Sequence, residues 1–148
     1  MIVVADTNVI VRTIANIDNK EQTAAAFLLL ARAEKVIVPT IVFCEVAWVL
    51  RQSYKRSNSF IAQALRFILS MEKLVTDSAA VRAGLRMLDA GGDFADGVIQ
   101  HTGSQQAGAP SVFASFDRKA VRLLEEQGFS TLVPTDASPE SEENGESA

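Results

Sequence analysis

One cysteine, one histidine, one tryptophan and one tyrosine are all that this 148-residue chain has of those types, and each scarcity removes a class of protein. A single thiol, Cys44, closes no internal disulfide, so the expectation is a reducing, cytoplasmic setting. One Cys and one His cannot build the Cys/His ligand sets that hold zinc. His101 stands in the polar stretch IQHTGSQQAG and reads as an exposed polar side chain rather than a general base. Long hydrophobic runs are also missing. The most apolar window, Val36 to Leu50, carries Glu45 and is too short to span a bilayer, and the N-terminus has no basic leader. No phosphate-binding glycine loop, dinucleotide fingerprint or serine nucleophile elbow is present.

What remains is a chain of single-domain length with 48% hydrophobic residues, enough to bury a substantial core. Its net charge of −4 is unevenly spread. The final stretch DASPESEENGESA holds five acids, no base and no large apolar residue, which predicts a disordered acidic tail over 136–148. The other thirteen acids face fourteen Lys and Arg, so residues 1–135 form a nearly neutral body of about +1. That is a weak electrostatic footprint for RNA, though not a prohibitive one.

Short apolar runs alternate with helical patterns along this body. Met1 to Ala5 reads as a buried strand, followed by a helix from Val9 to about Ala15 and a polar turn at Asp18-Asn19. Glu21 to Lys35 is rich in helix formers, and Val36 to Val38 is a second strand. Thr40 is placed to cap the helix carrying Glu45 and Trp48, and Asn58 or Ser59 opens another. A minor strand at Leu74-Val75 and a helix from Asp77 to the Gly91-Gly92 stop come next. Then come a helix from Asp93, a strand over Ser111–Phe116, a helix opened by Asp117, and a last strand at Thr131–Val133. The alternation predicts an α/β fold, three layers deep, with a mostly parallel central sheet flanked by helices. In such sheets sites form outside the carboxyl ends of the strands, where Asp6 and Asp117 both fall.

Most acids lie in polar company and need no explanation beyond a solvated helix face. Asp6 does not: it interrupts IVVADTNVIV, and a buried carboxylate is costly unless paired or bound to a cation, with a cap for the helix beginning near Val9 as the competing role. Glu45 is the only charge between Lys35 and Arg51, and Ile41 and Trp48 share its helical face, which predicts that this face is buried. Asp93 and Asp96 have the spacing of a capping box, and Asp117 also precedes a helix, so capping competes with chemistry at these positions. Gathered on one sheet edge, such acids require raised pKa values or a cation. Oxygen-only ligand sets select hard divalent ions such as Mg²⁺ or Mn²⁺.

The order of these motifs resembles the PIN domain: DTN after a first strand, a Glu in an apolar helix introduced by a strand and Pro, then DFADGVI, then SFD before a last helix. Within that family it most resembles the VapC-type toxins of type II toxin–antitoxin systems. The resemblance covers Met1 to about Val133. It implies that Asp6, Glu45, Asp96 and Asp117 are the catalytic acids, with Asn8, Asp93 and Ser115 in support. Asp6 and Asp96 would hold Mg²⁺ or Mn²⁺ directly, and Glu45 and Asp117 directly or through water. It also implies an endoribonuclease with RNA as substrate, a homodimer, and a cognate antitoxin protein as partner. A catalytically silent PIN domain that only binds RNA or protein is the alternative. Gln100 departs from the small residue usual after the D-x-x-I pattern, and the acidic tail lies outside the family pattern.

Overall fold

A computed structural model describes residues 1–15 and 19–135, so that Asp18 of the expected turn and the acidic tail 136–148 lie outside the described residues. Strand β1 (Ile2–Val4) leads into α1 (Thr7–Ile14), and α2 (Lys20–Arg32) returns the chain to β2 (Lys35–Ile37). Helices α3 (Thr40–Gln52) and α4 (Asn58–Leu69) precede β3 (Leu74–Val75). Helices α5 (Ser78–Asp89) and α6 (Phe94–Ala107) follow, then β4 (Phe113–Ala114), α7 (Arg118–Glu126) and β5 (Thr131–Leu132).

Short polar side chains start most of these helices by accepting hydrogen bonds from first-turn amides, which have no partner within the helix. Asp6 accepts from Val9 N, Asn19 from Gln22 N, Ser57 from Phe60 N, Asp77 from Ala80 N and Asp117 from Ala120 N. Because Asp6 itself is the cap, α1 begins two residues before Val9. The expectation that Thr40 caps α3 is not met. Thr40 is the first helical residue, and Pro39 precedes it with no side-chain cap bond.

Every strand pair is parallel. β2 lies between β1 and β3 in a three-stranded sheet, while β4 pairs with β5 as a separate two-stranded unit. The fold is therefore α/β with parallel pairing, as the alternation of elements predicts. β1 is the edge of its sheet, which corrects the expectation of a fully buried strand: Val3 and Ala5 are buried, whereas Ile2 and Val4 are 60% and 71% exposed.

One large core joins β1, β2 and helices α1 to α6. A smaller one, built on Met87, Leu123 and Leu124 with Phe113 and Phe129 against it, fixes the β4–α7–β5 unit to α5. Helices α5 and α6 pack closely against each other, and that approach depends on glycine. A Cβ on Gly97 would strike the Ala83 carbonyl, and one on Gly84 would overlap the Phe94 ring. Two helices can approach this closely only where one side chain is missing, and that approach sets the position of Asp96 on the first turn of α6. Among the described residues, no helix is long and apolar enough to cross a membrane.

Candidate metal centre

The turn between α5 and α6 delivers two of the site's carboxylates. Gly91 has φ +93°, a left-handed conformation that reverses the chain after α5 and is strained for other residues. Asp93 then stands at the N-cap position of α6 in an extended conformation, but its side chain makes no capping bond. The capping box suggested by its spacing to Asp96 is thus absent; only the Asp96 amide bonds back, to the Asp93 carbonyl at 3.2 Å. The Asp93 carboxylate instead faces Arg51 of α3, whose Nη1 lies 3.3 Å from its Oδ1.

Asp117 arrives from the other core. It follows β4 at the strand's carboxyl end, and one of its oxygens is engaged with Ala120 N at 3.1 Å. Its own amide donates to Ser115 Oγ at 3.0 Å, so Ser115 shapes the turn that aims it. One oxygen from each of Asp93, Asp96 and Asp117 can be chosen so that all three lie within 4.8 Å of one another. These three acids, with Arg51 and Lys119, line a small cavity of about 50 Å³.

The electrostatics of the trio follow from its geometry. The Asp96 carboxyl is half-buried and is pushed above the usual carboxylate range, first by burial and then by the charges of Asp93 and Asp117. Asp93 and Asp117 are exposed, so water solvates them directly. Three carboxylates at this separation repel one another, and a divalent cation among them would remove that repulsion and satisfy the desolvated Asp96. The donor set is entirely oxygen and suits Mg²⁺ or Mn²⁺ rather than zinc. Cys44 offers no competing thiolate, since burial, followed by the charge of Glu45, raises its pKa. His101, half-buried on α6, is not in the cluster.

Asp6, Asn8 and Glu45 take different positions. Asp6 and Glu45 are exposed, not buried as their apolar neighbours suggest. The face of α3 that carries Glu45 points outward: Ile41 and Trp48 are 64% and 63% exposed, while Val42, Phe43, Val46, Ala47 and Leu50 fill the core. Glu45 accepts a hydrogen bond from Thr7 Oγ1, which ties it to the residue next to Asp6. Neither belongs to the trio within 4.8 Å. Asp6 and Asn8 instead border a groove of about 520 Å³ together with Arg12 and Gln22, where Arg12 Nε donates to Gln22 Oε1 at 2.9 Å.

Sequence reasoning assigns no role to Arg51 or Lys119, and none to Asn58 beyond a helix start. Arg51 had one visible signal, as the first charge after Glu45 at the end of the apolar run. No curated protein matches the chain. The family model of the PIN domain matches residues 3–126, from β1 through the end of α7, and so takes in all three clustered aspartates. By that match over most of its length, the chain belongs to the PIN domain family.

Proposed function

We propose that this PIN domain is a Mg²⁺- or Mn²⁺-dependent endoribonuclease, and that it acts as the toxin of a VapBC-type toxin–antitoxin pair. The observation that carries the nuclease reading is the convergence of Asp93, Asp96 and Asp117, from two separately packed parts of the chain, on one small cavity. The helix cap at Asp117 and the ion pair at Asp93 account for those two singly, but not for their meeting with half-buried Asp96, and a metal-dependent nuclease has a use for all three.

Asp96, the half-buried member, is the natural primary ligand, because desolvation strengthens its attraction for a cation. Asp117 is held by its own helix cap and by Ser115, so it presents a fixed rather than a swinging carboxylate. Asp6 and Glu45, joined through Thr7, supply the remaining acids of the family pattern from the end of β1 and from α3. Asn8 and Arg12, on the groove beside Asp6, offer a hydrogen-bonding group and a cation to a passing RNA strand. Held by Asp93, Asp96 and Asp117, a divalent ion would supply water activation and offset the negative charge that develops at phosphorus. No histidine is needed for that chemistry.

The test is cleavage of a single-stranded RNA by the purified protein in Mn²⁺, with and without chelator. Cleavage is expected to need the metal and to be abolished in Asp96→Asn with the circular dichroism spectrum unchanged. RNA binding without cleavage would favour the silent-module alternative, and full activity of Asp96→Asn would remove the trio from the reaction.

A further inference from the structure

Arg51 is a cation built into the wall of an acid cluster. Its Nη1 lies 3.3 Å from Asp93 Oδ1, and its Nη2 donates to Asn58 Oδ1. Asn58 is in turn fixed from the other side: its Nδ2 donates to the carbonyls of Leu88 and Gly92, each at 3.1 Å. Those two carbonyls belong to the end of α5 and to the turn that delivers Asp93. One asparagine therefore aims the guanidinium and pins the turn carrying its carboxylate partner. Arg51 is about one-third exposed, so the charge is partly withdrawn from water and its field on the cluster is less screened than that of a surface arginine.

Resting on the metal-site reading above, we infer that Arg51, held by Asn58, is a resident counter-charge that occupies Asp93 when no ion is bound and must yield it to an incoming divalent cation. Arg51 is thus a positioning residue that sets the metal concentration at which the site fills. Two effects oppose each other here. Holding Asp93 in place favours an ion modestly, through a rotamer already restricted. A positive charge against a ligand oxygen disfavours an ion by direct competition and by repulsion of a doubly charged species, and at these separations the repulsion is the larger effect.

The sign makes the inference testable, because a purely structural role predicts the opposite result. Mn²⁺ binding to the full chain, measured by titration calorimetry in the absence of RNA, is expected to tighten at least threefold in Arg51→Gln. The ion-free protein should melt at a lower temperature, since the acids have lost their counter-charge. Arg51→Met removes the charge while keeping the side-chain stem and leaves Asn58 holding the turn, so it should tighten binding in the same direction. In an Asp93→Asn background, the further change Arg51→Gln should have a smaller effect than it has alone, because the carboxylate it competes for is gone. Arg51→Lys, which keeps the charge, should stay within about twofold of wild type. Unchanged or weaker Mn²⁺ binding in folded Arg51→Gln, with wild type binding normally, overturns the counter-charge alone. If Arg51→Gln does not fold, unchanged or weaker binding in Arg51→Met does so instead. Failure of wild type and all variants to bind Mn²⁺ overturns this inference and the metal-site reading together.

Discussion

Asp96 is pulled two ways, by a cavity that disfavours its charge and by the proposed reaction, which needs that charge. Its pKa is raised by burial and by the neighbouring Asp93 and Asp117. A carboxyl whose native pKa is raised binds its proton more tightly when folded, so its contribution to stability is full below the ordinary carboxylate range. That contribution is lost as the pH climbs through the raised value. Without metal, stability therefore falls as Asp96 ionises. Asp96→Asn is expected to raise the melting temperature of the ion-free protein at neutral pH, with the gain shrinking as the pH falls toward the ordinary carboxylate range. Thermal melts in chelator across that span check this, and a variant that melts below wild type at neutral pH contradicts it. Adding Mn²⁺ should reverse the order, because wild type gains about 1–3 kcal/mol at tens to a hundred times Kd and the variant does not. A group that costs stability and supplies function is a familiar trade-off in enzymes.

The same scale shows what the sequence could reveal about the site. Asp96 and Asp117 are legible as acids at a helix start and after a short strand, and the structure places them at those positions without the capping box that the Asp93–Asp96 spacing suggests. Glu45 is legible as a charge in an apolar run but not as a direction. Helix α3 is apolar on nearly every side, so its pattern has no single stripe, and only packing decides that Val42, Val46 and Leu50 face inward while Ile41, Glu45 and Trp48 face out. The Arg51–Asn58 link spans two helices, and no local pattern encodes a contact of that kind.

At the scale of elements, the site's precision comes from the seam between α5 and α6. Gly97 has no space for a side chain, with the Ala83 backbone and Met87 Cγ already where a Cβ would go, whereas Gly103 on the same helix has open space around it. Gly97→Ala should cost about 1–3 kcal/mol by overpacking. It should also weaken Mn²⁺ binding, since α6 must move and takes Asp96 with it. Gly103→Ala should do the reverse to stability, adding roughly 0.5–1 kcal/mol from helix propensity without touching metal binding. Chemical denaturation of both variants, with Mn²⁺ titrations alongside, separates the seam from the helix. Equal stability changes at the two glycines would show that the α5–α6 approach is not close. Element boundaries were largely visible in advance, because caps such as Asp77 and Asp117 and the Gly91-Gly92 stop are local signals. Which strands pair was not, since strands of two or three residues carry almost no register information.

For the whole molecule, the question is why a chain with an apolar surface would stay dispersed. Phe27 and Leu28 of α2 are each 50% exposed and Phe67 of α4 is 58% exposed. With Leu30 and Met71, Phe27 and Phe67 line a groove of about 360 Å³ whose walls are predominantly apolar. None of the helices forming it carries Asp93, Asp96 or Asp117, so association is separable by mutation from the aspartate trio. Exposed patches of this kind mark interfaces more often than free surface, and the proposed toxin needs one for its antitoxin. Expression of the wild type alone should arrest bacterial growth, expression of Asp96→Asn should not, and the antitoxin encoded beside it should restore growth. A Phe27→Asp, Phe67→Asp variant should still cleave RNA in vitro and still arrest growth, but should no longer be rescued by that antitoxin. Rescue of the groove variant would move the partner elsewhere. Unimpaired growth with wild type, at levels confirmed by blot, would remove the toxin role while leaving the metal-dependent nuclease to stand on its own assay. A monomer by light scattering at micromolar concentration would remove the homodimer independently of both.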